Sequence, residues 1–78
     1  MHWRYPIYDI YEAHFRAERA ETLGWWHVVV QQSLYCLERS QNAQDSQAIR
    51  FFATKLSHAY RAMHMPQKAT FYTHLAMA

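Results

Sequence analysis

Ala13–Leu37, AHFRAERAETLGWWHVVVQQSLYCL, and Ala53–Met77, ATKLSHAYRAMHMPQKATFYTHLAM, are one pattern written twice, 40 residues apart. The first reads as a helix, a turn at Gly24 and a second helix. The second reads as a helix, a turn at His64–Pro66 and a second helix. The offset pairs Ala13 with Ala53, Ala17 with Ser57, Leu23 with Met63, Val29 with Ala69, Ser33 with Thr73, Cys36 with Ala76 and Leu37 with Met77. Small residues meet small ones and large meet large, as in stacked helical hairpins. The expected fold is therefore all-α, with four helices in two antiparallel hairpins.

Upstream of the repeated pattern, Pro6 suits the first turn of helix 1, where its missing N–H is not needed. Asp9 and Glu12 lie early, where the helix dipole favours acids. Ile7, Tyr11 and Phe15 share one face, and Ala13, Ala17 and Ala20 form a small-residue stripe that admits a close neighbour. Gly24 ends the helix in the left-handed conformation. Helix 2 is expected from Trp25 to Arg39. One stripe is Trp26, Val29, Val30, Ser33 and Leu37, and a second is Trp25, Val28 and Tyr35, which predicts the most buried helix of the four. The polar run Ser40–Gln47 reads as the connector, and Asp45 or Ser46 as the cap of helix 3. Helix 3 places Ile49, Phe52, Ala53, Leu56, Tyr60 and Met63 on one face, with Arg50, Thr54, Ser57 and Arg61 opposite. Pro66 begins helix 4, whose stripe is Ala69, Tyr72, Thr73 and Ala76.

Residues Ala17, Leu23-Gly24, Trp26, Cys36 and Leu37 in the first unit, with Leu56, Ser57, Ala59, Tyr60, Met63, Ala69 and Ala76 in the second, resemble the tetratricopeptide repeat over residues 13–77. The resemblance implies two helix-turn-helix units forming a protein-binding scaffold. The chain departs from that family in its longer period, in Ala13 and Ala53 at positions where the family carries a large aromatic, and in His64 at a turn glycine. A plain four-helix bundle is the alternative architecture.

Composition narrows the function classes. Seventy-eight residues fit one domain, 1–78, and a half-hydrophobic, 17% aromatic chain can build a core at that length. The single Cys36 has no internal disulfide partner and sits in an apolar run, which predicts a reducing, cytoplasmic setting. Met1–Pro6 shows no apolar signal core, and the longest apolar run, Val28–Val30, is far too short to span a membrane. With one glycine, no phosphate-cradling loop can form. His14, His27, His58, His64, His74 and Cys36 lack metal-ligand spacing, so no metal or cofactor is expected. Cys36 has no neighbouring base, so no catalytic residue is expected either.

Two binding readings remain. The first is a non-catalytic protein–protein interaction module, a small adaptor, regulator or inhibitor of a larger assembly. Its anchors are Trp3, Tyr8, Trp25 and Tyr35, because amphipathic aromatics concentrate at interface centres. The same apolar surplus predicts a homodimer. The second is a small nucleic-acid-binding protein. Residues 41–78 carry Arg50, Lys55, Arg61 and Lys68 against one acid, Asp45, while residues 1–40 carry more acids than arginines.

Overall fold

The turns set the architecture. Gly24, Gln44 and His64 stand 20 residues apart, and each has a left-handed backbone, with φ of 75°, 56° and 61°. At each one the residue's N–H bonds the carbonyl three residues back: Glu21 at 3.1 Å, Gln41 at 3.1 Å and Arg61 at 3.0 Å. The next N–H bonds five residues back: Trp25 to Ala20 at 2.8 Å, Asp45 to Ser40 at 3.0 Å and Met65 to Tyr60 at 2.9 Å. That pair of bonds is the Schellman motif, which satisfies the last carbonyls of a helix and turns the chain back. The chain uses it three times in succession.

A computed structural model describes the backbone of residues 6–78 and the side chains from Ile10 onward. Four helices fill that span: α1 Pro6–Leu23, α2 Trp26–Asn42, α3 Ser46–Ala62 and α4 Pro66–Met77. The backbone approaches run only between consecutive helices, α1 on α2, α2 on α3 and α3 on α4. Helix α4 does not return to pack on α1, as it would in a closed up-and-down bundle. The result is a slab measuring 43 × 29 × 13 Å. Its thickness leaves every helix one open face, because a helix with its side chains is about 10–12 Å across.

The buried positions follow the turns. Ala13, Ser33 and Ala53 are buried in register, as are Ala17, Leu37 and Ser57, and Ala20, Ser40 and Tyr60. The 40-residue echo is therefore two steps of a 20-residue helix-and-turn unit. Most of these residues are small, which lets consecutive helices approach closely. Larger groups fill the spaces left: Leu56, Phe52 and Tyr60, with Tyr60 stacked on Tyr72 at 5.6 Å. Polar groups inside mostly find partners, the exceptions being the buried Ser33 Oγ and the Nδ1 of His14. Ser40 Oγ donates to the Cys36 carbonyl at 2.8 Å, the Ser57 and Thr73 hydroxyls share a 2.6 Å hydrogen bond, and Thr73 also donates to the Ala69 carbonyl at 3.0 Å.

On α1 the core takes the alanine stripe, as its small residues imply, and Tyr11 and Phe15 turn to solvent. Rings on the core side would have held α2 away. Three expectations require correction. Helix α2 is less buried than α3, because His27, Gln31, Leu34 and Tyr35 form its open face. The connector is only Ala43–Asp45: Ser40, Gln41 and Asn42 continue α2, and Ser46 and Gln47 open α3. The polar run stays helical because the Schellman bonds at Gln44 and Asp45 need helical carbonyls at Ser40 and Gln41. Asp45 caps α3, its Oδ1 accepting from the Ala48 N–H at 3.1 Å, and Ser57, assigned from sequence to the outer face of helix 3, is buried against α4.

Candidate interaction face

This chain places its residue sizes in reverse of the usual order. Its interior is largely Ala, Ser, Cys and Val, while large rings stand outside. Phe15 is 76% exposed, Tyr11 62%, Trp25 59% and Phe51 48%. Tyr11 and Phe15 are one turn apart on α1, and Tyr11 and Phe51 line the same hollow. His14 joins the two helices, its ring edge-on to Phe51 at 5.3 Å and to Phe52 at 5.9 Å. Tyr11 and Phe51 thus share the surface formed by α1 and α3, and Phe15 stands exposed one turn along α1 from Tyr11.

Between α1 and α3 lies a groove. Helix α2 separates their backbones, and only side chains cross between them. One hollow, about 390 Å³, is lined by Ile10, Tyr11, His14, Ala48, Phe51 and Phe52 among others. A second, about 640 Å³, is lined by Glu21, Arg50, Thr54, Lys55 and His58. Gln47 and Phe51 belong to both, so the hollows meet there. One end is aromatic and the other polar.

The polar end is braced by charge. Lys55 Nζ donates to Glu18 Oε2 at 2.6 Å and to Glu21 Oε1 at 2.8 Å. Burial pulls the Lys55 ammonium down, but the bonds to the two carboxylates outweigh it and leave its pKa above the usual value. The same hydrogen bond from Lys55 lowers that of Glu18. Nζ also lies 5.4 Å from the centre of the Phe51 ring. His58 stands 3.8 Å from the free oxygen of Glu21 and packs edge-on to Trp26 at 5.4 Å.

The anchors expected from sequence are not gathered into one site. Trp3 lies outside the described residues. Tyr8 falls on α1, but its side chain is outside them as well. Trp25 occupies the position before α2 and makes no side-chain cap there. A Ser, Thr, Asp or Asn would serve that position better by about 1 kcal/mol. Tyr35 is 37% exposed on the open face of α2, with the Arg39 guanidinium 5.7 Å from its ring centre. The basic set is scattered too. Arg50 and Lys55 line one hollow, but Lys55 is committed to two carboxylates. Lys68 leans over Tyr60 at 5.5 Å, and Arg61 is exposed in the last turn of α3.

Tyr11, Phe15, Phe51, Thr54 and His58 were not singled out as a surface in the sequence. The signal for them was register. Tyr11, Gln31, Phe51 and Phe71 are 20 residues apart, and all four are exposed. Among the described residues no group of three His, Cys, Asp or Glu side chains is placed to hold a metal ion, and no helix is long and apolar enough to cross a membrane. No protein family, no curated protein and no solved structure matches the chain. The class defined by fold and surface is an open all-α helical array with an aromatic groove face.

Proposed function

We propose that the protein is a non-catalytic protein-interaction module that acts as a small adaptor or regulator, with the α1/α3 face as its binding surface. One observation carries the reading: small residues fill most of the interior while Tyr11, Phe15 and Phe51 stand exposed, Tyr11 and Phe51 in one hollow and Phe15 one turn along α1. Rings left in water forgo roughly 1.5–3 kcal/mol of burial each, a cost that a partner's surface reverses. Trp25, exposed in the turn between α1 and α2 and useless as a helix cap, fits the same role. The resemblance to tetratricopeptide hairpins supports the reading in kind, since each helix packs on its neighbours in sequence and leaves an extended open surface.

Affinity capture from the native host, with mass spectrometry, tests it. The full chain is expected to retain a partner that Phe15→Ser and Trp25→Ser both lose, with truncation of each anchor costing about 2 kcal/mol, or roughly thirtyfold in affinity. Both variants should melt at or above the wild-type temperature, because neither residue is buried and serine caps α2. Capture unchanged by both substitutions overturns the proposal. Sedimentation velocity on the same variants shows whether the partner is a second copy of the chain: a dimer that becomes a monomer on Phe15→Ser identifies it as a homodimer.

A further inference from the structure

The charges on the α1/α3 face do not balance, and the imbalance has a location. Glu12 is paired with Arg16 at 3.3 Å. Glu18 and Glu21 are both taken by Lys55. Asp45, at the far end of the aromatic hollow, accepts from the Ala48 N–H. Lys55 offsets only one of its two carboxylates and Asp45 keeps its charge, so these groups leave two negative charges; against them stand Arg19, Arg50 and Arg61, for which no carboxylate partner occurs among the described residues, and the excess is one positive charge. Arg19 follows Tyr11 and Phe15 along α1 at successive steps of four. Arg50 and Arg61 share one stripe of α3 with Thr54, three turns from end to end. Arg50 lines the polar hollow directly beside the Phe51 wall.

We infer that the groove binds an acidic amphipathic peptide segment of a partner protein, seating a large apolar side chain between Tyr11, Phe51 and Phe52 and a carboxylate on Arg50. The inference rests on the protein-interaction reading and specifies its partner. The groove supplies the two things such a segment needs. The aromatic hollow accepts a side chain. One step along, across Gln47 and Phe51, an arginine presents a planar donor fork that matches a carboxylate. Lys55 cannot do this, because both of its carboxylates hold it across the groove floor. Gln47 and Thr54 stand beside Arg50 as further hydrogen-bonding groups for a peptide backbone. A phosphate backbone is the poorer fit: three arginines separated by rings and carboxylates do not form the dense cationic track that counterion release rewards.

Panning the full chain against a displayed library of random twelve-residue peptides tests the inference, followed by fluorescence anisotropy on synthetic versions of the enriched sequences. Enriched peptides should carry Asp or Glu next to a large apolar residue. Arg50→Gln should weaken their binding about tenfold or more, and Phe51→Ala comparably, with Arg50→Gln leaving the melting temperature unchanged. Arg50→Glu should abolish binding of the acidic peptide and accept its Glu→Lys counterpart. Enrichment of neutral or basic peptides overturns the inference, and so does indifference to Arg50→Gln. A single-stranded oligonucleotide or an anionic vesicle bound more tightly than any peptide, and lost in Arg50→Gln, assigns the arginines to phosphate instead. Failure to enrich any peptide also overturns it. The broader interaction reading is then judged separately by the Phe15→Ser and Trp25→Ser captures, which do not involve Arg50.

Discussion

Cys36 shows how far a single residue's chemistry follows from its packing. It is fully buried on α2, and its thiol points at the Ile10 carbonyl of α1, 3.7 Å from Sγ. Burial pushes its pKa up to about 11 from the ordinary 9.0. Two outcomes follow. A thiol reagent at pH 8 should leave the native protein unlabelled over minutes and label it at once in denaturant; rapid native labelling would place Cys36 outside the core. The folded state also holds the thiol protonated where the unfolded state ionises it. Its contribution to stability is therefore intact below about pH 9 and is lost as the pH climbs through about 11. A Cys36→Ser comparison in alkaline urea melts isolates it: only the wild type should show this thiol-linked loss across that window. The apolar run around Cys36 made this burial legible. The exposure of Phe15 was not legible, because a Tyr11–Phe15 pair one turn apart is the ordinary mark of a core face. What decided the matter was competition. Ala13, Ala17 and Ala20 allow a closer approach of α2 than any ring does, and both stripes cannot face the same neighbour.

At the scale of the element, the turns were the clearest signal and also the incomplete one. Gly24 announced itself, and so did the turn at His64–Pro66. The turn at Gln44 did not, since it lies in a run read as connector and glutamine does not mark a left-handed residue; Gln44 and His64 both take a left-handed backbone without being glycine. Both adopt it because the Schellman bonds and the packing on either side dictate the backbone. That compulsion is measurable. Gln44→Gly and His64→Gly should each stabilise the protein, by about 0.5–1 kcal/mol, through relief of the side-chain clash in the left-handed region. In a domain this small such a gain raises Tm by several degrees. Gly24→Ala should do the reverse. A Cβ there meets nothing within 4 Å, so the loss would report the backbone alone. If the glycine variants at 44 and 64 melt lower than wild type, their side chains contribute something beyond the turn. The connector was misjudged for a related reason: Ser, Gln and Asn lower helix propensity only slightly, and three or four of them at a helix end are carried by the motif that follows.

For the whole molecule, the all-α class and the four helices were legible because apolar stripes at helical spacing alternate with punctuation. The groove was not, because it lies between helices whose backbones do not touch. A groove of that kind comes from the order of stacking, and neither stripe predicts it alone. The 40-residue echo was read as two hairpins, whereas the buried register repeats at every helix. Alternate helices share one surface of the slab, so a residue's functional neighbours lie two units away in sequence. The braces across that distance, Lys55 with Glu18 and Glu21 and His14 with Phe51, join residues that no local pattern connects.

Consecutive packing also has a consequence in time. Every backbone approach in the slab joins neighbours in sequence. The search for the native topology therefore closes only short loops, and the entropy of each closure is returned almost immediately. The protein should fold on a microsecond-to-millisecond scale, read as a dominant relaxation after a temperature jump; a dominant phase of seconds would show that the cross-groove contacts are rate-limiting. Such a chain has no single latch. Its ends can open while its middle stays closed. Hydrogen exchange should run fastest in α4, which has one helical neighbour and only one buried residue, Ala69, and slowest in α3, flanked on both sides. The α1 side of the groove likewise has a single helical neighbour, so the face proposed for binding borders the part of the molecule that yields first, and a ligand spanning α1 and α3 would slow exchange in α1 most.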